Sequence, residues 1–172
     1  VDRRGRVLAT EVLSTRRWGR PKRFVAGVGG AIERLTAAVR VTPRQLRGVG
    51  IGVPGLVDHG RGMVHTLVNV PGWLEVALAR EMTGRLGCRC LIDNDVNVVA
   101  LGEWRCGSGR GAHHLMCLTL GTGVGGGLIL CDGLYRGATG SAGEFGHMVI
   151  APKGRRCACG NRGCLEAQVG TA

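Results

Sequence analysis

Aromatic side chains are almost missing from this sequence, which has one tyrosine, two phenylalanines and three tryptophans in 172 residues. Proteins that grip single-stranded nucleic acid stack bases on such rings, so their scarcity argues against that class of function. Acidic groups are also few: 12 against 23 lysines and arginines, a net charge of +11. The excess is almost wholly arginine, scattered as singles and pairs such as Arg3-Arg4, Arg16-Arg17 and Arg155-Arg156. That scatter reads first as a solvated surface, and second as a general attraction for phosphorylated ligands. No apolar run approaches the length of a membrane span. No secretory pattern is visible from Val1 onward, although an opening on Val1 leaves room for a targeting segment upstream.

Glycine, by contrast, is abundant, with 32 residues and no triplet period. The glycines cluster at 121–127 and 137–146, the pattern of backbone brought close to a ligand. A hydrophobic fraction of 44% suits a globular chain with a sizeable core, as one large domain or two small lobes.

Periodicity divides the chain into alternating elements. "GRVLATEVLS" (residues 5–14) predicts a strand, and Val25, Val28, Ile32, Leu35 and Val39 recur at helical spacing. "VGIGVPGLVD" (49–58) predicts a buried strand entering a Pro-Gly turn. "WLEVALAREMTGRLG" predicts a second amphipathic helix with Gly84 or Gly87 near its end. "CRCLIDND" is a short apolar strand ending in acids, and "VNVVALGEW" opens another helix. From His114 the texture changes to strands linked by glycine turns, with Asp132-Gly133 as a hairpin tip. The expectation is an α/β fold in two lobes, residues 1–106 and 107–172, with the junction inside "RCGSGRGAHH".

Three of the eight cysteines fall within "RCACGNRGCLE", ten residues after a histidine. Cys157 and Cys159 are two apart, so extended backbone points both the same way. Gly160 and Gly163 permit the tight turns that return Cys164 to the same point, and His147 supplies a fourth donor. Three thiolates and one imidazole make a closed tetrahedral set, which suits structural Zn2+. Disulfide domains string their cysteines throughout a small chain, so an odd trio beside a histidine points instead to a reducing cytoplasm. Cys88, Cys90, Cys106, Cys117 and Cys131 read as small buried hydrophobes. Glu144 and Glu166 flank the metal motif, where carboxylates suit polyhydroxylated ligands; the plainer reading is surface acids among arginines.

Gly121-Thr122-Gly123-Val124-Gly125-Gly126 imitates the dinucleotide pattern, but "GLILCDGLYRG" continues as strand and turn where that motif needs a helix. What remains is either a plain glycine hairpin or a turn whose amides, with the Thr122 hydroxyl, cradle phosphates. In "IDNDVN", Asp95 stands where a strand meets a helix, an end that favours negative charge. Taken alone, Asn94 or Asp95 reads first as a helix cap and second as a catalytic group.

Together these residues resemble the ROK family of sugar kinases and sugar-responsive repressors, within the actin-like ATPase (ribonuclease H-like) superfamily. The resemblance runs from "GVGIGVPGLVD" through "NVPGW", "DNDVN", "LTLGTGVGGGLI" and "GEFGH" to "CACGNRGCLE". It implies a two-lobed fold and Asp95 as the base that takes the proton of the attacking sugar hydroxyl. It further implies Gly55, Asn94, Asp95, Glu144, His147 and Glu166 at the sugar, with one ring nitrogen of His147 facing the metal and the other the sugar. Cys157, Cys159 and Cys164 match the remaining zinc ligands, and Gly121, Thr122, Gly123, Gly125 and Gly126 the phosphate loop for ATP with Mg2+. The family's Asp-x-Gly-Gly-Thr strand is expected to precede Val1, and its adenosine-holding elements to follow Ala172. The implied activity is phosphorylation of a hexose or N-acetylhexosamine by a cytoplasmic homo-oligomer, dimer or tetramer, most like a glucokinase. A sugar-sensing repressor, the only reading with nucleic acid as a partner, is the rival. An intact "GTGVGGG" and "DND" favour the kinase. A third class is a zinc-stabilised binding module without catalysis.

Overall fold

A computed structural model describes residues 1–14, 19–67, 70 and 72–171. Arg16, Arg17, and Asn69 and Pro71 of the "NVPGW" motif lie outside the described residues. The chain divides into two compact units, Val1–Asp95 and Val96–Ala172.

In the first unit, α1 (Pro21–Ala38) begins with proline in its first turn, where the missing N–H costs nothing. Of its predicted stripe, Val25, Val28 and Ile32 pack against the buried core, whereas Val39 lies just past the end of the helix. β1 (Val49–Val53) and β5 (Cys90–Asn94) pair in parallel, Val49 opposite Cys90 and Val53 opposite Asn94. A three-stranded antiparallel sheet, β2 (Gly55–Asp58), β3 (Met63–Leu67) and β4 (Leu74–Val76), lies between them in sequence. The predicted buried strand is β1, which ends at Pro54, a residue with no N–H to continue a ladder; where a Pro-Gly turn was expected, Gly55 instead begins β2.

Two further expectations are corrected. Residues 5–14 form no strand, because alternation makes a strand only when a neighbour accepts its hydrogen bonds; Val7 and Val12 are 68% and 91% exposed there. Leu74–Val76 is the edge strand β4 rather than the first turn of a helix. Its Val76 and Leu74 sit opposite Val64 and Thr66 of β3, and Glu75 takes φ +52, which no right-handed helix allows. The helix α2 starts later, at Leu78, and runs to Leu86. Leu78, Met82 and Leu86, four apart, form its fully buried face, and Gly87 ends it in the left-handed region at φ +68. Gly84 lies inside the helix.

The second unit carries most of α3 (Asp95–Cys106) and an antiparallel sheet of β6 (Leu115–Leu120), β7 (Val124–Leu130) and β8 (Gly133–Tyr135). A Cβ at Gly125 would lie 2.5 Å from Val96 Cγ2, and one at Gly127 2.7 Å from the Ala100 Cβ. Those glycines let α3 lie directly on the sheet. The β7–β8 tip is Cys131-Asp132, one residue earlier than predicted, with both residues at positive φ as a type I′ turn requires. Cys88 and Cys90 are buried as expected, and burial pushes the Cys90 thiol above its usual value. Cys106 and Cys131 are exposed, since one ends a helix and the other caps a hairpin. A short helix α4 (Leu165–Val169) closes the described chain. Among the described residues no helix is long and apolar enough to cross a membrane.

Candidate functional site

The second unit gathers its chemistry at one knuckle of chain. After Glu144, a single 3-10 turn (Phe145–His147) sets the imidazole, and Met148 leaves it in extended conformation. The chain then doubles back. Val149 bridges Cys164 and Arg156 bridges Arg162 in antiparallel fashion. The backbone N–H groups of Ile150 and Leu165 donate to Gly163 O and Met148 O, both at 2.9 Å. At the tip, Cys157 O accepts from the Gly160 N–H at 3.0 Å, so Cys157–Gly160 is a turn rather than the extended pair its spacing suggested. Gly163 stands at φ +75, and a Cβ there would overlap the Ala151 carbonyl. Glycine is thus the residue that lets the return strand lie close enough to bring Cys164 home.

The result is a cluster of four donors, His147, Cys157, Cys159 and Cys164, whose ligand atoms all lie within 4.8 Å of one another. Cys159 Sγ is 3.7 Å from Cys164 Sγ, and Cys157 Sγ is 3.7 Å from His147 Nδ1. Zn–S bonds near 2.3 Å at tetrahedral angles place ligand sulfurs roughly 3.8 Å apart, so the cluster fits zinc in donor type and spacing. Its protonation chemistry fits as well. Burial pushes the Cys164 thiol up to about 12, and the neighbouring Cys159 and Cys157 push the same way. The Asn161 backbone N–H holds Cys159 below its usual value. The Cys164 thiol therefore needs a cation beside it to ionise at neutral pH.

Two carboxylates border the cluster. Glu144 Oε2 lies 3.8 Å from His147 Nε2, so one ring nitrogen faces the sulfurs and the other faces an acid. Glu166, in the first turn of α4, has Oε1 3.9 Å from Cys157 Sγ. Its other oxygen, Oε2, accepts from the Val124 backbone N–H at 2.9 Å. That bond ties the metal knuckle to the glycine turn between β6 and β7, a link the sequence did not disclose. The turn itself is a hairpin, as predicted, with Leu120 opposite Val124 and the Gly121 N–H donating to Gly123 O at 3.0 Å. Gly121 and Thr122 are exposed. Gly125 and Gly126 sit within β7, where a Cβ on Gly126 would strike the Gly143 carbonyl and Phe145. Internal packing thus already accounts for the absence of a side chain at these two positions.

The remaining candidates belong to the first unit. Asn94 ends β5 and Asp95 begins α3. The Asn94 side-chain amide donates to Gly55 O at 3.4 Å, so those two candidates meet, and Gly55 (φ +149) has no room for a Cβ beside the Thr66 carbonyl. Asp93, 8% exposed, accepts from the Asn94 N–H at 2.9 Å. His59, which the sequence reading did not single out, donates through Nδ1 to Ile92 O at 2.8 Å and lies 3.4 Å from Asp93 Oδ2. A lone histidine in a turn carries no spacing that marks it in advance.

Comparison with known proteins accords with this chemistry. A sequence profile of the ROK family matches residues 5–172. The glucokinase of Thermotoga maritima is 46% identical over 119 residues, 69% of this chain and 38% of the relative. The xylose repressor of Caldicellulosiruptor bescii is 38% identical over 135 residues, 78% of this chain and 34% of the relative. Among solved structures, a ROK family glucokinase from Streptomyces griseus, crystallised with glucose and AMPPNP, matches with a TM-score of 0.79 and 37% identity. That match covers 96% of this chain and 51% of the other, so the chain spans about half the length of that relative, and less of the two others. With the profile aligned from residue 5 to the end, through the glycine hairpin and the His147–Cys164 knuckle, this chain belongs to the ROK family.

Proposed function

We propose that the protein is a glucokinase-like sugar kinase, transferring the terminal phosphoryl group of ATP to a hexose hydroxyl within a two-lobed actin-like fold. The observation that carries this reading is the knuckle. It holds Glu144, His147 and Glu166 around one metal cluster in a chain similar to glucokinases. His147, Cys157, Cys159 and Cys164 would hold zinc, which would supply a rigid, redox-inert crosslink rather than a reacting centre. Glu144 and Glu166 accept hydrogen bonds from sugar hydroxyls, and Asn94 is a further sugar-binding candidate on the strength of the family motif. Asp95 accepts the proton of the attacking hydroxyl, at the helix end where a carboxylate is favoured. Phosphoryl transfer asks mainly for positioning and charge stabilisation, so an ordinary aspartate suffices once the hydroxyl is held in line. ATP with Mg2+ supplies the phosphoryl group, and the turn at Gly121–Gly123, with the exposed Thr122 hydroxyl, would receive its phosphates. The trio of cysteines clustered with His147 as metal donors supports a reducing, cytoplasmic setting.

A second reading rests on the likeness to a xylose repressor: a sugar sensor that keeps the knuckle but does not turn over. The deciding experiment measures ADP formation by the complete natural protein against a panel of hexoses and N-acetylhexosamines. Sugar-dependent ADP formation is expected. Sugar binding without turnover, together with retention of operator DNA, would establish the repressor instead.

A further inference from the structure

We infer that Glu166 is a positioning residue that couples the metal knuckle to the glycine turn, so that metal loading orders the turn through a single carboxylate. The two oxygens of Glu166 face different partners. Oε2 accepts from the Val124 N–H at 2.9 Å, at the point where the turn enters β7. Oε1 lies 3.9 Å from the sulfur of Cys157, a member of the donor cluster. A charge-assisted bond of this kind is stronger than one between neutral partners, and it fixes the end of a turn that has few anchors of its own.

The surrounding chain is arranged to keep that bond. Glu166 is two residues beyond Cys164, so the backbone that carries the metal ligand also carries the carboxylate. Gly123 leaves the approach open: a Cβ there would lie 2.5 Å from Glu166 Oε2. A second brace comes from the far end of α4. Thr171 donates to Gly121 O at 3.1 Å through both its backbone N–H and its hydroxyl. The segment from Glu166 to Thr171, α4 with the two residues after it, therefore reaches the turn at both its ends.

The consequence for recognition rests on the kinase reading above. With Oε2 committed to Val124, Glu166 offers a sugar a single oxygen, Oε1. The same side chain then touches the acceptor sugar and the turn that receives phosphate. Loss of metal would loosen both sites together, with no ligand passing between them.

The test uses the full chain, loaded with zinc or stripped with chelator, and reads amide exchange across residues 120–126. In the wild type, zinc removal is expected to speed exchange at Val124 by about tenfold or more. Glu166→Ala should do the same while keeping one zinc per chain, and Glu166→Gln, which retains an acceptor oxygen without its charge, should exchange at a rate between wild type and Glu166→Ala. Gly123→Ala approaches from the other side: its methyl displaces the carboxylate without removing it and should also speed exchange with zinc retained. Val124 exchange indifferent to both zinc and Glu166→Ala would overturn the coupling. So would loss of zinc from Glu166→Ala, which would make Glu166 part of the metal centre instead of its link. Binding of an ATP analogue, measured in parallel, separates the two ideas: coupled exchange without nucleotide binding would leave the link standing and sink the kinase reading.

Discussion

His59 Nδ1 lies 2.8 Å from the carbonyl oxygen of Ile92, joining the turn after β2 to the strand that delivers Asn94 and Asp95. A carbonyl only accepts, so Nδ1 carries the proton in this bond. The same nitrogen is 3.4 Å from the buried Asp93 carboxylate, which in turn receives the Asn94 N–H. His59→Ala should lower stability by about 1 kcal/mol, the usual net value of such a bond. Denaturant unfolding reads this directly, and an unchanged midpoint would show that the contact is idle.

Removing a metal ligand should act at a distance from any reacting atom. Cys159→Ser is expected to lose stoichiometric zinc and to lower the melting temperature and sugar affinity together, because the knuckle holds Glu144 and Glu166 in place. With free zinc about 100-fold above its dissociation constant, the wild type gains roughly 2.7 kcal/mol that a chelator should abolish. Metal analysis, thermal melts and titration with glucose supply the three readings. Intact sugar affinity in zinc-free protein would show that the knuckle does not position the acids.

Zinc binding should strengthen with pH across the neutral range. The Cys164 thiol, raised by burial to about 12 from 9.0, is protonated there, and zinc must expel that proton. Each proton displaced changes the apparent affinity by about tenfold per pH unit. The metal-free fold has the opposite dependence. Its raised thiol contributes stability fully below the unfolded value of 9.0, and this is lost as pH climbs toward about 12. Calorimetry in buffers of different ionisation enthalpy counts the protons released. A count of zero would mean the thiols are already ionised without metal.

Asp95→Asn in the complete natural protein keeps the size of the side chain and removes its ability to take a proton. A general base contributes typically about 10²- to 10⁴-fold, so turnover should fall by at least that range. Sugar affinity should fall far less, because the amide still hydrogen-bonds a hydroxyl. Steady-state kinetics with a coupled ADP assay tells these apart, since a loss confined to KM would signal uniform binding. Near-normal turnover would reduce Asp95 to the first residue of α3 and nothing more.

Some of this protein was settled by its local sequence. The stripe of Val25, Val28 and Ile32 recurs at 3.6-residue spacing, and it makes the face of α1 that packs against the core. The glycines at 160 and 163 take the positive φ that few other residues tolerate, so the return of Cys164 to His147 was written into the motif. Other features depended on partners that no local pattern names. Residues 5–14 alternate like a strand yet form none, while Leu74–Val76 leaves a helical pattern to pair with β3, because a strand exists only through the hydrogen bonds of its neighbour. His59 on Ile92 and Glu166 on Val124 span 33 and 42 residues. Such contacts arise only once the packed chain has brought distant backbone groups within bonding distance, which is why the tertiary structure alone decided how the site residues are held.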